Sequence, residues 1–412
     1  MNIYMGVRCS VLGFGCWDGK QMRIDSIDLF YLAMPEITDE VDGSQDALLV
    51  RARAGNWEGW GECEAAPLPC IAAFCCPASH GVCKPAMTSV LGAEINTPAD
   101  IRRINAEVRR LGLDLLQIDH ILSGIDVALL DLLARSFHIP VYQLLGDSTA
   151  YPKLPYASVL LGDSPAETYA KAAAIRSAGF RAAKFGWGPL GKGSVEEDVE
   201  QVRAAREGLG DDGILLLDAG VVWGVDPAPV HQRANWFREY HLTWLEEPFI
   251  SGATEAYGEI SAVHPDLPLA AGEGCNNIQM ARDLVYRGGV QYLQIDAGRI
   301  GGISTAFEAR KLAEAAGITY VNHTFTSNLA LSASMQPYVG VERFELAEYP
   351  TEMKPLARDL TVEKIERGED GLIRVPEFPG LGITPDLDTI RKYLLQVKIE
   401  VGGRILYETP TI

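Results

Sequence analysis

Six ionisable side chains recur along the second half of the chain at intervals of 23 to 28 residues. Each ends or closely follows a short apolar run, as in ILLLD, LTWLE, YLQID and ITYVNH. A single acidic residue after a strand is most often a helix N-cap or a solvated loop residue, but that explanation does not account for a series in phase. The six residues are Asp218, Glu246, Glu273, Asp296, His323 and Glu348.

The types of these side chains indicate a metal site and an acid–base pair. Carboxylates from neighbouring strands repel one another unless a cation lies between them, and an oxygen-rich site of this kind suits Mg²⁺, with Mn²⁺ also compatible. A carboxylate beside an imidazole fixes its tautomer and raises its basicity. Taken alone, His323 would be a structural histidine, but next to Asp296 and the other acids we interpret it as a general base.

A further charged residue lies in the stretch AAKFGWGP. Strand side chains alternate, so Lys184 and Gly186 should face the same way. A lysine that faces the inside of a protein is unusual. The glycine two residues later either has a role at the same site or only relaxes the end of the strand.

These residues need a scaffold that brings strand ends together. From about Tyr151, eight apolar runs alternate with amphipathic stretches such as SVEEDVEQVRAAREGL. Eight strand–helix units predict an α/β fold, a (β/α)8 TIM-type barrel in which all strand ends meet at the C-terminal face, and a doubly wound open sheet is the alternative. The eight runs are YASVLLG, RAAKFG, GILLLDAG, LTWLEEP, LPLAAGE, YLQIDAG, ITYVNHT and RFELAEY.

The first 150 residues have a different character. Apolar and polar residues alternate in RIDSIDLFYLAMPE and in DALLVRARAGNWEGWGECE, which contains a Gly-Asn turn, so both indicate antiparallel strands. Helical patterns follow in PADIRRINAEVRRLG and SGIDVALLDLLARSFHIPVYQLLG. We predict an α+β capping domain over residues 1–150, with 1–21 as an added segment, a barrel over 151–368, and a segment over 369–412 that returns to the capping domain.

Composition narrows the possible partners. The chain has 412 residues and a net charge of −19, which argues against nucleic acid and anionic membranes. No apolar run is long enough to span a bilayer and the start does not resemble a signal peptide, so we expect a cytoplasmic protein.

Five of the eight cysteines lie between Cys63 and Cys83. We expect a packed loop of thiols there, because the paired spacing of a zinc site is missing.

Longer motifs resemble the enolase superfamily, and within it the mandelate racemase-like subgroup. The resemblance covers almost the whole chain and rests on SGIDVALLDLLA, WLEEP, AAGEG, QIDAGRIGGIS, NH and PGLGI. It implies a capping domain over a barrel and a Mg²⁺ ion held by three strand-end carboxylates, which match Asp218, Glu246 and Glu273. It also implies a His–Asp dyad, which His323 and Asp296 match.

The same resemblance suggests roles for the remaining charged residues. Glu247 would lie behind the metal ligands, and a glutamate on the last strand would face the substrate carboxylate. Glu348 matches that glutamate best, and Glu345 is the alternative. Members of this family remove the proton α to a carboxylate and form an enediolate that the metal stabilises, and cationic Lys184 would offset the same growing charge.

The chain departs from the family on the second barrel strand, where a Lys-x-Lys motif is common. Lys184 is present, but Gly186 replaces the second lysine, which is one of two bases. Racemisation needs a proton-transferring group on each face of the substrate, whereas loss of water can use one group first as base and then as acid. We therefore expect a dehydratase that converts a sugar acid to a 2-keto-3-deoxy acid, with His323 as base and Lys184 as a carboxylate-binding cation.

Other interpretations stay open at this point. One is a racemase, epimerase or cycloisomerase of another carboxylic acid, for which Lys192 is a poor candidate as an additional base. Another is a non-catalytic binding protein on the same scaffold. A second departure, Gly220 in place of a frequent asparagine, affects substrate choice, which we expect to depend on the Pro67–Lys84 loop and on barrel loops. The partner would be a small carboxylate, and we expect a homo-oligomer.

Overall fold

The computed structural model describes residues 22–116 and 118–412. The segment that we interpreted as an extension, residues 1–21, lies outside the described residues. Within them, a small antiparallel sheet with helices is followed by a ring of eight parallel strands and then by a short hairpin. This arrangement confirms the predicted barrel with an N-terminal α+β cap.

The cap, which we define as residues 22–150, has its three strands in the order of the chain. The predicted Gly-Asn turn joins the second strand to the third, and Gly55 has a φ of +59°, a conformation that glycine adopts without steric cost. Its elements are β1 (Ser26–Ala33), β2 (Asp46–Ala54), β3 (Trp57–Cys63), α1 (Pro67–Cys75), α2 (Met87–Val90), α3 (Pro98–Leu111), α4 (Ile118–Ser136) and α5 (Val141–Leu144).

The cysteine-rich segment contains a helix, so our prediction of a loop was wrong. Proline occupies the first turn of α1, where a missing backbone N–H leaves no hydrogen bond unmade. One face of the helix is buried and includes Cys70 and Cys75. The free cysteines of the described residues are Cys63, Cys70, Cys75, Cys76, Cys83 and Cys275.

All eight predicted barrel strands are present and pair in parallel, which excludes the doubly wound alternative. The strands are β4 (Leu154–Leu160), β5 (Ala182–Gly186), β6 (Ile214–Asp218), β7 (Leu242–Glu246), β8 (Leu269–Ala271), β9 (Tyr292–Asp296), β10 (Thr319–His323) and β11 (Leu346–Pro350). Hydrogen-bonded neighbours follow the order β10-β9-β8-β7-β6-β5-β4-β11.

Side chains rather than a backbone ladder join β10 to β11. The Asn322 side-chain oxygen accepts hydrogen bonds from the Glu348 backbone N–H (3.0 Å) and from the Tyr338 hydroxyl (2.8 Å). The Thr324 N–H donates to the Glu348 carboxylate at 2.9 Å. This joint therefore holds Glu348 beside the end of β10.

Helices connect the strands and follow the barrel. Several begin at a serine whose hydroxyl accepts a hydrogen bond from the first turn, as at Ser164 and Ser194. In the described part of the chain, no helix has the length and apolar character required to cross a membrane. The connecting and C-terminal elements are α6 (Pro165–Ser177), α7 (Val195–Leu209), α8 (Ala228–Glu239), α9 (Thr254–Val263), α10 (Ile278–Tyr286), α11 (Ile303–Ala316), α12 (Asn328–Met335), α13 (Pro355–Asp359), α14 (Leu387–Tyr393), β12 (Lys398–Val401) and β13 (Arg404–Glu408).

Close packing of α4 on β3 sets the position of the cap. A Cβ at Gly61 would lie 2.3 Å from the Gly124 carbonyl oxygen, so neither strand nor helix could approach this closely with a side chain there. Asp126 on the same helix accepts a hydrogen bond from the Ser304 N–H at 2.9 Å. The helix therefore packs on β3 and holds the start of α11, the helix that follows β9.

The C-terminal segment contacts the cap. The Tyr407 hydroxyl donates to the Leu29 carbonyl at 2.5 Å, and the Leu395 N–H donates to the Tyr31 carbonyl at 2.8 Å. These contacts support the assignment of residues 369–412 to the capping domain. The boundaries at residues 150 and 368 stay predictions.

Candidate active site

The predicted residues meet at the C-terminal mouth of the barrel. A cleft of about 540 Å³ opens there, between the barrel strands and the cap. Its charged lining consists of Glu64, Lys184, Asp218, Glu273, Arg299, His323 and Glu348. Glu246 and Asp296 are buried directly behind this lining, in contact with Lys184 and His323. The strand-end spacing therefore predicted six of these residues as neighbours, and their individual roles stay predictions.

Three carboxylates form the candidate metal site. One oxygen from each of Asp218, Glu246 and Glu273 lies within 4.8 Å of the other two. Asp218 and Glu246 end β6 and β7 and are opposite one another in the strand register. Glu273 lies two residues beyond β8, because that strand ends at Ala271 and not at the glutamate. The order of strands in the barrel thus brings the three side chains together.

The charges of this triad fit a divalent cation. Burial raises the pKa of Asp218 to about 6, with Lys184 opposing the shift and Glu273 adding to it. Burial likewise raises the pKa of Glu246 well above its usual range, again with Lys184 opposing. Desolvated carboxylates that repel one another and present convergent oxygens are a donor set for a hard ion. Mg²⁺ fits these residues on that basis.

Glu247 supports the triad from behind. Its Oε1 accepts hydrogen bonds from the Gly272 N–H at 3.2 Å, from the Gly274 N–H at 3.4 Å and from the Ser251 hydroxyl at 3.3 Å. Its backbone has a φ of +33°, which is rare for a residue with a side chain. Glu247 thereby holds the loop on which Glu273 lies.

His323 and Asp296 form a close pair at the ends of β10 and β9. The two residues are opposite in the register, and His323 Nδ1 lies 2.6 Å from Asp296 Oδ2. The other Asp296 oxygen accepts the Gly298 N–H at 2.5 Å. This geometry assigns a proton to Nδ1 and directs Nε2 toward the cleft, where it lies 3.0 Å from Glu273 Oε2.

The surrounding carboxylates determine the charge of this imidazole. Burial opposes the charged form of His323, but Glu273, Glu348 and Asp296 outweigh it and raise its pKa well above the usual range. The imidazole is therefore protonated while these carboxylates are not neutralised. A cation held by Glu273 would lower the pKa of His323 toward the range in which it can accept a proton.

Lys184 bridges the metal triad and the last strand. Its Nζ lies 2.6 Å from Glu246 Oε1, 2.7 Å from Glu348 Oε1 and 3.8 Å from Asp218 Oδ2. Burial opposes its charge, but these acids raise the pKa of the lysine well above its usual range. A lysine held in the charged form can offset negative charge but cannot accept a proton. Glu345, the alternative to Glu348, is exposed.

Gly186 packs closely against a candidate metal ligand. It is opposite Asp218 in the register of β5 and β6. A Cβ at residue 186 would lie 2.7 Å from Asp218 Cβ and 3.0 Å from the Asp218 carbonyl oxygen. A side chain at this position would therefore displace a candidate metal ligand.

Two site residues escaped the sequence reasoning. Arg299 Nη2 lies 3.2 Å from Glu64 Oε1, and Nη1 lies 3.2 Å from Glu273 Oε1. Glu64 in turn lies 3.9 Å from His323 Nδ1, and burial raises the pKa of Glu64 to about 8, with Asp296 adding to the shift. Arg299 lies in the motif DAGRIGG and could have been found there. Glu64 follows a cap strand, and no local pattern indicates that it reaches the barrel.

The cap contributes to the cleft through a different segment from the one we predicted. Val41, Gly43 and Glu64 line the cleft, whereas the Pro67–Lys84 segment does not. That segment packs in the cap beside the C-terminal hairpin, near Arg404. Lys192 is exposed and is not part of the cleft lining.

Comparisons with known proteins agree with this architecture. Residues 41–146 match the family described as mandelate racemase / muconate lactonizing enzyme, N-terminal domain, and residues 167–389 match the family described as enolase C-terminal domain-like. A crystal structure of a predicted mandelate racemase from Rhodobacter sphaeroides is 50% identical, with a TM-score of 0.91 over 95% of this chain and 100% of that chain.

Curated relatives catalyse different reactions at similar levels of identity. D-Galactarolactone cycloisomerase from Agrobacterium fabrum is 28% identical over 66% of this chain and 73% of its own length. L-Talarate/galactarate dehydratase from Salmonella typhimurium is also 28% identical, over 74% of each chain. The choice among reactions must therefore be argued from the residues of the cleft.

Proposed function

The chain belongs to the mandelate racemase / muconate lactonizing enzyme family of the enolase superfamily, and we propose that it is a Mg²⁺-dependent dehydratase of a sugar acid. The observation that carries this proposal is the contact between Gly186 and Asp218 beside a single imidazole–carboxylate dyad. In the described cleft, we assign His323 Nε2 as the base because Asp296 holds Nδ1, and a side chain on β5 at residue 186 would clash with Asp218.

The proposed reaction needs one proton-transferring group. His323 Nε2 takes the proton from C2 of the acid, and the electron pair of the C–H bond moves onto the carboxylate to give an enediolate. That electron pair then returns to form a C2=C3 double bond. The C3–O bond breaks, and the departing hydroxide takes the proton from His323 and leaves as water. The resulting enol moves its hydroxyl proton to C3 through solvent and becomes the 2-keto-3-deoxy acid.

The other residues hold the reacting groups and offset charge. Asp296 keeps the proton of the imidazole on Nδ1, so that Nε2 faces the substrate. Lys184 remains charged and stabilises the carboxylate as negative charge grows on it. When bound by Asp218, Glu246 and Glu273, Mg²⁺ would supply further positive charge to the same carboxylate oxygens.

Relatives named for dehydration support this choice. D-Galactonate dehydratase from Ralstonia pickettii is 28% identical over 64% of this chain, and D-xylonate dehydratase from Haloferax volcanii is 25% identical over 67%. A cycloisomerase is the second candidate, because the relative of that name is as similar and ring opening by β-elimination also needs one base. Two-base racemisation is disfavoured by the close contact at Gly186.

A substrate screen tests the proposal. Aldonic and aldaric acids, with their lactones, would be incubated with the protein and Mg²⁺, and the products would be identified by NMR. We expect a 2-keto-3-deoxy acid that does not form without Mg²⁺ or with His323→Asn. An isomer of a lactone would indicate the cycloisomerase, and binding without any product would indicate a non-catalytic binding protein.

A further inference from the structure

Trp187 lines the cleft in a backbone conformation that is rare for a large side chain. Its φ is +57°, in the left-handed region that favours glycine and asparagine. Its N–H donates to the Asp218 carbonyl at 3.2 Å, and its carbonyl accepts the Leu190 N–H at 3.3 Å. A strained residue held in place at a functional cleft indicates that the side chain is needed there.

A glycine supports the indole ring. A Cβ at Gly220 would lie 2.5 to 2.7 Å from three ring atoms of Trp187, so the ring lies directly on the Gly220 backbone. Gly220 also donates its N–H to Asp218 Oδ1 at 2.8 Å. The two departures from the family pattern, at residues 186 and 220, are therefore linked: the first leaves Asp218 in place, and the second makes room for Trp187.

Three apolar residues at the ends of β4 and β5 form one wall of the cleft, next to Ser158 and Lys184. Val159, Leu160 and Trp187 line it, and we call these three residues the β4–β5 wall. The two strands are adjacent, with Leu160 opposite Gly186. Of the charged lining, Lys184 lies on β5 and the other charged residues lie outside these two strands, so the cleft combines a wall for apolar groups with a site for a carboxylate.

The charges near this wall are unsuited to a second carboxylate. Lys171 lies behind it, but its Nζ donates to the Leu160 carbonyl at 3.0 Å and pairs with Glu352 at 3.0 Å. Glu352 also accepts the Leu160 N–H at 3.2 Å. Among the described lining residues, Lys184 and Arg299 are each within 3.2 Å of two acids. Among the described residues, no cation remains to compensate a second substrate carboxylate at the wall, where it would be desolvated.

We propose that Trp187 determines substrate specificity, and that the cleft selects monocarboxylic sugar acids with an apolar end remote from the carboxylate. The substrate class is therefore a deoxyaldonic acid with a terminal methyl group, in preference to an aldonic acid with a terminal hydroxymethyl or an aldaric acid with a second carboxylate. This inference rests on the proposed function for the site, and it concerns only the end of the substrate that does not react.

Three acids with the same configuration from C2 to C5, which differ only at C6, test the inference. Loss or gain of one group in an apolar pocket changes kcat/KM by about 10- to 200-fold. We therefore expect the kcat/KM of the methyl acid to exceed that of the hydroxymethyl acid by about tenfold or more. Burying an unpaired charge costs more than burying an unpaired hydroxyl. The kcat/KM of the diacid should therefore be about 10²-fold or further below that of the methyl acid.

The matched variant is Trp187→Gly, because glycine accepts the backbone conformation at this position and the fold is therefore retained. We expect the preference for the methyl acid to fall to about threefold or less, with the change in KM and not in kcat. Trp187→Asn, which also accepts this backbone conformation, should behave in the same way. Trp236→Ala is the control, because Trp236 lies on α8 with 41% of its surface exposed, outside the cleft lining.

The result can separate this inference from the proposed function. Calorimetric binding of the three acids in the presence of Mg²⁺ reports the same order even if no 2-keto product forms. A 2-keto product with equal or reversed preference at C6 would overturn the inference alone. An unchanged preference in Trp187→Gly would also overturn it, and failure of all three acids to bind would overturn both.

Discussion

Adding one methyl group at residue 186 should disturb the candidate metal site from a neighbouring strand. In Gly186→Ala, the new Cβ would lie 2.7 Å from Asp218 Cβ and 3.1 Å from Asp218 Cγ. Ordinary contacts begin at 3.4 Å, so β5 and Asp218 would have to separate by about 0.7 Å. Asp218 is also held by the Gly220 N–H, and movement would disrupt that hydrogen bond.

The expected sizes of the losses in stability and in Mg²⁺ affinity follow from the tight packing of β5 against β6. Overpacking in a core costs about 1–3 kcal/mol, and the free energy of unfolding of the metal-free protein should fall by that amount in urea titrations. Disturbing groups that orient a metal ligand typically lowers affinity about 10- to 100-fold, which calorimetric titration with Mg²⁺ would measure. Gly81→Ala is the matched control, because a Cβ there meets nothing within 4 Å. It should change stability by less than about 0.5 kcal/mol.

Gly186→Lys extends the same test to chemistry. The lysine has the same Cβ, so it should weaken Mg²⁺ binding as the alanine does and should not restore a second base. The reasoning would be refuted if Gly186→Ala matched the wild type in stability and Mg²⁺ affinity. It would also be refuted if the lysine variant retained full metal affinity and exchanged the C2 proton of both epimers.

Other predictions concern the dyad, the metal and the N-terminus. His323→Asn should retain the fold and Mg²⁺ binding but lower the single-turnover rate by about 10²–10⁴-fold. Asp296→Asn should lower kcat more than it changes KM, because the imidazole loses the partner that fixes its tautomer. A change in KM as large as the change in kcat would contradict this prediction. Burial raises the pKa of Asp218 to about 6 and that of Glu247 to about 7, so the native protein holds protons that the unfolded chain has lost. The free energy of unfolding of the metal-free protein should therefore fall as the pH rises from about 4.5 to 7, while Mg²⁺ affinity, measured by calorimetry, should increase. A chain that begins at Met22 should remain soluble, folded and able to bind Mg²⁺, and insoluble protein would contradict that expectation.

Regular spacing explains why much of the site could be predicted. Each barrel repeat places a strand end at the same face, so the positions of Asp218, Glu246 and His323 follow from the strand pattern alone. Glu64 could not be found in this way, because its approach to Arg299 depends on how α4 packs the cap against the barrel. That packing arises from contacts between residues far apart in sequence, such as Asp126 and Ser304.

Local signals also had limits within single elements. The many cysteines between Cys63 and Cys83 suggested a loop, but the prolines at the start of α1 and the apolar side chains that follow favour a helix. The absence of a side chain at Gly186 was visible in the sequence. Its close approach to Asp218 became visible only with the register of β5 against β6.

The central claim is that one base on one face of the substrate catalyses loss of water. It is tested most directly by NMR in D₂O, with each C2 epimer of a substrate incubated with the Mg²⁺-loaded protein. We predict that one epimer yields the 2-keto-3-deoxy acid and that unreacted substrate keeps its configuration at C2. His323→Asn should abolish both formation of this product and exchange of the C2 proton for deuterium. Interconversion of the two epimers, or product formation at a near wild-type rate by His323→Asn, would contradict the claim.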